Sequence, residues 1–272
     1  MTNAEYRSNP AISRSELFKI GKSPLHFKYE RENPPEPSAA LIFGQAFHKF
    51  VLEPDGFDDE FAVAPNVDRR TRDGREQWAA FQTEADGKQI ITLDDMTAIQ
   101  GMRDALMENR HAKFLINSSQ HELPLFWTDD LSGEKCKCRL DMFLGDGKQR
   151  IVSDLKSCAS AETEAFMRDV IKYGYDLQVF QYLDGVAHNY GPPKDPENPD
   201  EFIFIAVEKT PPYAVNVMQA DKYILMRGEA LFREYIGTYH DCKESGNWWS
   251  YNGHFGNINI LSLPAYLRKD FE

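Results

Sequence analysis

The chain has 272 residues, of which 42% are hydrophobic and 27% charged, and it carries a formal net charge of −12. That length buries a core without disulfide or metal staples, and the composition excludes disordered and fibrous classes. No apolar run approaches the ~20 residues of a membrane span, and Met1-Thr2-Asn3-Ala4-Glu5 offers neither the basic start nor the apolar stretch of a secretory signal, so a cytoplasmic protein with no membrane partner is expected.

In chain order, Ser13-Arg14-Ser15-Glu16 has capping-box spacing, and Leu17 and Ile20 begin an apolar face, so a short helix is expected to reach Gly21 and stop before Pro24. Asn33 to Pro37 reads as a loop, and Ser38 as the N-cap of a helix through about Leu52. A helix carrying Trp78 and Phe81 follows the basic cluster Arg69-Arg70-Thr71-Arg72. Thr92 and Asp95 repeat the capping box ahead of the stripe Met96, Ile99, Met102 and Leu106. The texture then changes. His121 to Thr128, Lys135 to Leu144 and Arg150 to Cys158, separated by turn signals at 130–133 and at Asp146-Gly147, read as a three-stranded antiparallel meander. Helices are expected from about Ala161 and from about Asp176 to His188. Strands follow at Phe202 to Val207 and Ala214 to Val217, then a long helix from Ala220 to about Tyr239. The tail, with Trp248, Trp249 and the apolar group Ile258 to Leu263, is expected to pack on the body. One domain over residues 1–272 follows, mainly helical over 1–115 and holding a central mixed sheet flanked by helices over 116–272, an α/β (α+β) class.

The cysteines Cys136, Cys138, Cys158 and Cys242 lack the C-x-x-C spacing of a zinc site. Cys136, Cys138, Leu140 and Met142 alternate with Lys137, Arg139 and Asp141, which reads as small apolar residues facing a core. The acidic charge argues against coating nucleic acid by overall attraction, although a local groove can still be basic.

The chemistry concentrates on the meander. A two-residue turn at Asp146-Gly147 would pair Gly145 with Lys148 and bring Asp141 opposite roughly residue 152, close to Asp154. Asp154 and Lys156 leave one face of their strand while Ile151, Ser153 and Leu155 leave the other. Two acids at one spot repel unless protonated or bridged by a cation, and hard oxygen ligands suit Mg²⁺, with Mn²⁺ as substitute. Such an ion serves phosphodiester hydrolysis, and a lysine beside it stabilises charge on the phosphate. A bare D-x-K also describes a salt bridge on a strand surface, a helix histidine such as His48 also describes a core residue, and Gln178 and Tyr182, at the border of the stripe Leu177, Phe180, Leu183 and Ala187, also describe boundary packing. Gly44, one turn before His48, would admit another backbone closely. Glu122, on the first meander strand, could lie beside the metal site, although strand glutamates usually face solvent. Arg69, Arg70, Arg72 and Arg139 are candidate phosphate contacts, against the plainer reading of a solvated charge run.

Taken together, Ile12-Ser13-Arg14-Ser15-Glu16-Leu17 with Ser23-Pro24, Gly44-Gln45-Ala46-Phe47-His48, Leu52-Glu53-Pro54, Cys138-Arg139-Leu140-Asp141, Asp154-Leu155-Lys156-Ser157 and Gln178 to Tyr182 resemble, in their order, the RecB-like branch of the P-D-(D/E)-x-K nucleases, with closest likeness to the RecE-like exonuclease VIII family of prophages. The resemblance implies a restriction-endonuclease-like core, with His48, Asp141, Asp154 and the Leu155 carbonyl as metal ligands, Lys156 as the catalytic lysine, and Gln178 and Tyr182 lining the centre. It further implies a Mg²⁺-dependent 5′-to-3′ exodeoxyribonuclease on linear duplex DNA ends that leaves 3′ overhangs for recombination. A homo-oligomeric ring, expected to be a tetramer, and a single-strand annealing protein as partner belong to the same expectation. The competing readings are another nuclease of the superfamily, endonucleolytic or single-strand-specific, and a non-catalytic DNA-binding protein that keeps the fold.

Overall fold

The computed structural model describes residues 1, 3–145, 150–193, 199–264 and 268. Its helices are α1 (Asn3–Ser8), α2 (Arg14–Lys22), α3 (Pro24–Glu32), α4 (Ala39–Leu52), α5 (Phe57–Glu60), α6 (Arg72–Glu84), α7 (Leu93–Glu108), α8 (Arg110–Ser118), α9 (Thr163–Tyr173), α10 (Tyr175–Tyr190) and α11 (Lys222–Ser245). Its strands are β1 (Phe61–Val63), β2 (Gln89–Ile91), β3 (Gln120–Thr128), β4 (Lys135–Gly145), β5 (Arg150–Cys158), β6 (Glu201–Glu208) and β7 (Val215–Gln219). Five strands form one mixed sheet in the order β3-β4-β5-β6-β7, with β5 and β6 parallel and the other pairs antiparallel. The antiparallel meander and the mixed α/β class are as expected. The parallel step needs a long crossover, which α9 and α10 supply.

Local chemistry explains most helix starts. Ser13 and Glu16 close a capping box on α2, and Thr92 and Asp95 close another on α7. Ser23 accepts from the His26 amide, with Pro24 at the first position of α3, so Pro24 opens a helix besides ending the previous one. The Asn109 side chain likewise accepts from His111 and Ala112 at the start of α8.

The sheet divides the interior in two. One side buries Leu17, Phe27, Leu140, Val152, Leu177, Phe204 and Phe232 beneath α2, α3, α9, α10 and α11. The other buries Phe47, Ile99, Met102, Leu115, Met142, Leu155 and Ile205 beneath α4, α7 and α8. All four cysteines are buried and free, the first three within the former cluster, as the alternation implied for Cys136 and Cys138. Lys137 is buried too; its ammonium donates to the carbonyls of Tyr6 at 3.1 Å and Asn9 at 2.7 Å, which pins the segment after α1 to the sheet. His121 lies 2.6 and 2.7 Å from the carbonyls of Leu52 and Ile116, fastening the end of α4 to β3.

Four expectations of the fold need correction. Gly145 pairs with Arg150 and Met142 with Ser153, so Gly145 does not pair with Lys148, and Asp141 falls opposite Asp154 instead of residue 152. The Asp146-Gly147 turn itself lies outside the described residues. Packing fixes which face each residue of this ladder uses, and both registers satisfy it. Phe143 and Val152 both enter the first cluster, while Leu144 and Ile151 both pack on the second. A slip of two residues preserves the faces, whereas a slip of one would invert them. Second, Met142 does not continue the face of Cys136, Cys138 and Leu140 but enters the opposite cluster. Third, Trp248 stacks on Phe27, but Ile258, Ile260 and Leu261 are at least 90% exposed, so the end of the tail does not pack on the body. The long last helix also runs to Ser245, past Tyr239.

Candidate active site

Along β3 and β4 the alternation of side chains breaks at one rung. His121 pairs with Met142 and Leu123 with Leu140, so Glu122 stands opposite Asp141. Glu122 has φ 52, a left-handed conformation that a non-glycine residue adopts rarely and that marks functional sites. On either side of it both strands change which core they face. The described pairing of β4 with β5 also ends at Met142 and Ser153, so these strands part where Asp141 and Asp154 stand. Both carboxylates are buried at the fork, Asp154 at 1% and Asp141 at 9% exposure.

Two groupings meet at the fork. His48, from the face of α4 above it, places Nδ1 3.3 Å from Asp141 Oδ2, and His48, Glu122 and Asp141 present ligand atoms all within 4.8 Å of one another. On the other side Asp154 accepts from Gln178 Nε2 and pairs with the Lys156 ammonium. The Leu155 amide donates to Asp141 Oδ2 at 2.9 Å and links the two. Tyr182, one turn beyond Gln178 on α10, is half-buried near the same carboxylates. Burial first, then the charges of Asp154 and Asp141, push its hydroxyl well above the usual range. Gln178 is 2% exposed and therefore lies inside the core, deeper than the expected boundary position.

The structure thus brings together His48, Asp141, Asp154, Leu155, Lys156, Gln178 and Tyr182. Arg139 joins them, its Nε 2.7 Å from Glu122 and its guanidinium 3.8 Å from Glu53. Arg69, Arg70 and Arg72 are not brought in: Arg69 lies over Trp78, Arg70 pairs with Asp68 and Arg72 with Glu76, and none lines the site cavity. Glu122 takes the first of the two places its strand allowed, beside the metal-site residues, and Arg14 escaped the sequence reading. Glu122 is half-buried instead of solvent-facing, and its left-handed backbone leaves no mark in residue type. Arg14, hidden in a capping box, donates from NH2 to Gln178 Oε1 at 3.2 Å.

A cavity of about 390 Å³ opens beside the trio, lined among others by Tyr6, Gly44, Gln45, Lys49 and Arg139. A Cβ at Gly44 would meet nothing within 4 Å, so this glycine widens the cavity and admits no neighbouring backbone, contrary to expectation.

The electrostatics fit a divalent cation. Burial and the neighbouring Asp154 charge raise Asp141 to about 6, with His48, Lys156 and the Leu155 amide only partly offsetting them. Burial and Asp141 raise Glu122 to about 8 against the pull of Arg139. Carboxyls held above their free values are easier to ionise once a cation bridges them, and a set of imidazole and carboxylate oxygens offers hard donors. For a folded-state value above the unfolded one, the associated stability is present at low pH and lost as pH rises through the folded value. In EDTA the melting temperature is therefore expected to fall between about pH 4 and pH 8, and Mg²⁺ to recover it most at the alkaline end. Asp141→Asn should flatten that fall. Thermal melts across pH, with and without metal, check this, and a melting temperature that rises through the interval would refute it.

The model of a family described as a PDDEXK-like domain of unknown function, DUF3799, matches residues 13–259. The chain belongs to this family. Its matched span contains the fork, α4 and α10, and with them His48, Glu122, Asp141, Asp154, Lys156, Gln178 and Tyr182. The PDDEXK-like description places the chain in the P-D-(D/E)-x-K nuclease superfamily. Among solved structures, a protein of Eubacterium rectale described as a candidate exonuclease superposes with a TM-score of 0.64 at 14% identity, covering 99% of this chain and 97% of its own. That likeness supports the fold. A second structure, of SSO0001, gives a TM-score of 0.38 at 15% identity, covering 96% of this chain and 93% of its own, and carries no argument. No curated protein matches the sequence. Among the described residues, no helix is long and apolar enough to cross a membrane.

Proposed function

We propose that this chain, acting as one domain over residues 1–272, is a Mg²⁺-dependent exodeoxyribonuclease that degrades linear duplex DNA from 5′ to 3′. The observation that carries the nuclease reading is the fork itself, where Asp141 and Asp154 face each other beside His48, Glu122 and Lys156. A surface salt bridge does not fit Asp154, which is 1% exposed and held by both Gln178 and Lys156. Buried charge of this kind is costly and is retained where a ligand or reaction uses it. Polarity, the 3′ overhang, a role in recombination beside an annealing protein, and a tetrameric ring rest on the likeness to RecE-like enzymes. An acidic exterior around a basic lumen would reconcile such a ring with the net charge.

His48, Glu122, Asp141 and Asp154 would hold the divalent ion, with the Leu155 carbonyl as a backbone donor. When bound there, the ion would polarise a phosphoryl oxygen and lower the pKa of the attacking water. The protein's own groups do the rest. The Lys156 ammonium, kept in place by Asp154 and by the Tyr175 ring 4.7 Å away, supplies positive charge where the phosphate gains negative charge. Gln178 fixes the orientation of Asp154, and Arg14 fixes Gln178 in turn. Arg139 holds Glu122 in place through its Nε, 2.7 Å from the carboxyl.

End-labelled linear duplex and closed circular DNA, incubated with Mg²⁺ and then with EDTA, test the proposal. Loss of the linear form alone, stopped by EDTA, is the expected result. Cutting of the circle would replace the exonuclease with an endonuclease, and intact DNA in both tubes would leave a binding protein. Unequal release of label from 5′- and 3′-labelled ends checks polarity.

A further inference from the structure

Next to the fork, one strip of surface combines cations with one exposed and one half-buried tyrosine ring. α9 ends at Tyr173 and α10 begins at Tyr175, joined by Gly174 at φ 66, which caps the end of one helix and the start of the other. This reversal sets the two tyrosine rings 5.7 Å apart at an interplanar angle of 35°. Lys172 Nζ lies 4.9 Å from the Tyr173 centroid, and Arg14 Cζ lies 5.8 Å from that of Tyr175, whose ring also meets Lys156. Arg14 further donates from NH1 to the Tyr173 carbonyl at 3.1 Å. Tyr173 is 42% exposed and Lys172 is exposed. The acids nearby are Asp154, already held by Gln178 and Lys156, Asp176, paired with Arg227, and Asp169, which acts on Lys172 and Tyr175.

In a chain of net charge −12, three cations gather here around two adjacent, mutually tilted rings. Single-stranded nucleic acid is held by this combination, because every base offers a π-face and every phosphate a charge. We propose that the strip is the track of one nucleic-acid strand beside the fork, with a base stacked on Tyr173 and phosphates against Arg14 and Lys172. The inference rests on the reading that the fork acts on DNA, and it names the surface that grips the strand.

The test is fluorescence anisotropy of a labelled oligothymidylate of about 12 nucleotides in EDTA, where cleavage is stopped. Tyr173→Ala should weaken binding at least tenfold, within the range measured for loss of one base–aromatic stack. Tyr173→Phe should bind like the native chain, since stacking needs the ring and not the hydroxyl. Lys172→Ala should lower the slope of log affinity against log salt by about 0.7, the value for one phosphate of a single strand. Native binding that Tyr173→Ala leaves within twofold, at an unchanged melting temperature, would overturn the track while leaving the nuclease reading standing. Equal losses in Tyr173→Ala and Tyr173→Phe would overturn the stacking. A native chain that binds neither oligothymidylate nor duplex would overturn both the track and the proposed function.

Discussion

Asp154→Asn is expected to reduce DNA cleavage by at least two to three orders of magnitude, on the order of what removal of one preorganised charge-stabilising group costs an enzyme. The substitution keeps volume and shape in a position that is 1% exposed, so the fold is retained. It removes the negative charge that Lys156 faces and that Gln178 orients. Asp141→Asn should act alike, because Asp141 bridges His48 and the Leu155 amide. Calorimetric titration with Mg²⁺ should show weakened metal binding in both, and release of nucleotides from labelled DNA gives the rate. Native-rate digestion by either variant would remove the fork from the chemistry.

Lys156→Ala is expected to lower the cleavage rate by about 10²- to 10³-fold while DNA binding in EDTA stays close to native. The separation follows from geometry, because Lys156 faces Asp154 and Tyr175, whereas the outer cations Arg14 and Lys172 remain. Without Lys156 the buried Asp154 loses its counter-charge, so the metal-free variant should also melt lower than the native chain, and Mg²⁺ should recover part of the difference. Lys156→Arg keeps the charge but not the compact ammonium and should rescue stability more than rate. Loss of DNA binding together with cleavage would reassign the lysine from chemistry to grip.

Much of this was legible in the residues because each signal was local. Capping boxes at Ser13 and Thr92, alternation in β5 and the paired faces of Asp154 and Lys156 all arise within a few neighbours. What escaped depends on the rest of the molecule. The dipeptide Asp146-Gly147 favours a two-residue turn, yet the ladder runs from Met142↔Ser153 to Gly145↔Arg150; a shift of two residues keeps every side chain on its own face, so the alternation along the strands does not distinguish the two registers. Glu122 carries no trace in its identity of the left-handed φ that aims it at His48 and Asp141. The strands β1 and β2 are three residues each and owe their pairing to contact with one another, so no periodicity announces them. Arg14 belongs by sequence to a helix start and by space to the neighbourhood of Gln178, a relation spanning 164 positions.

The joint at Gly174 ties separate parts of the molecule to one residue. A side chain there would be strained by the backbone and would meet the Phe18 ring at 2.4 Å, so α2, α9 and α10 would have to yield together. A change at this point would displace Tyr173, Tyr175, Arg14 and Gln178 in a single movement. Grip on the strand and orientation of the buried acid should therefore fail as a unit there, although substitutions at the side chains themselves can take them apart.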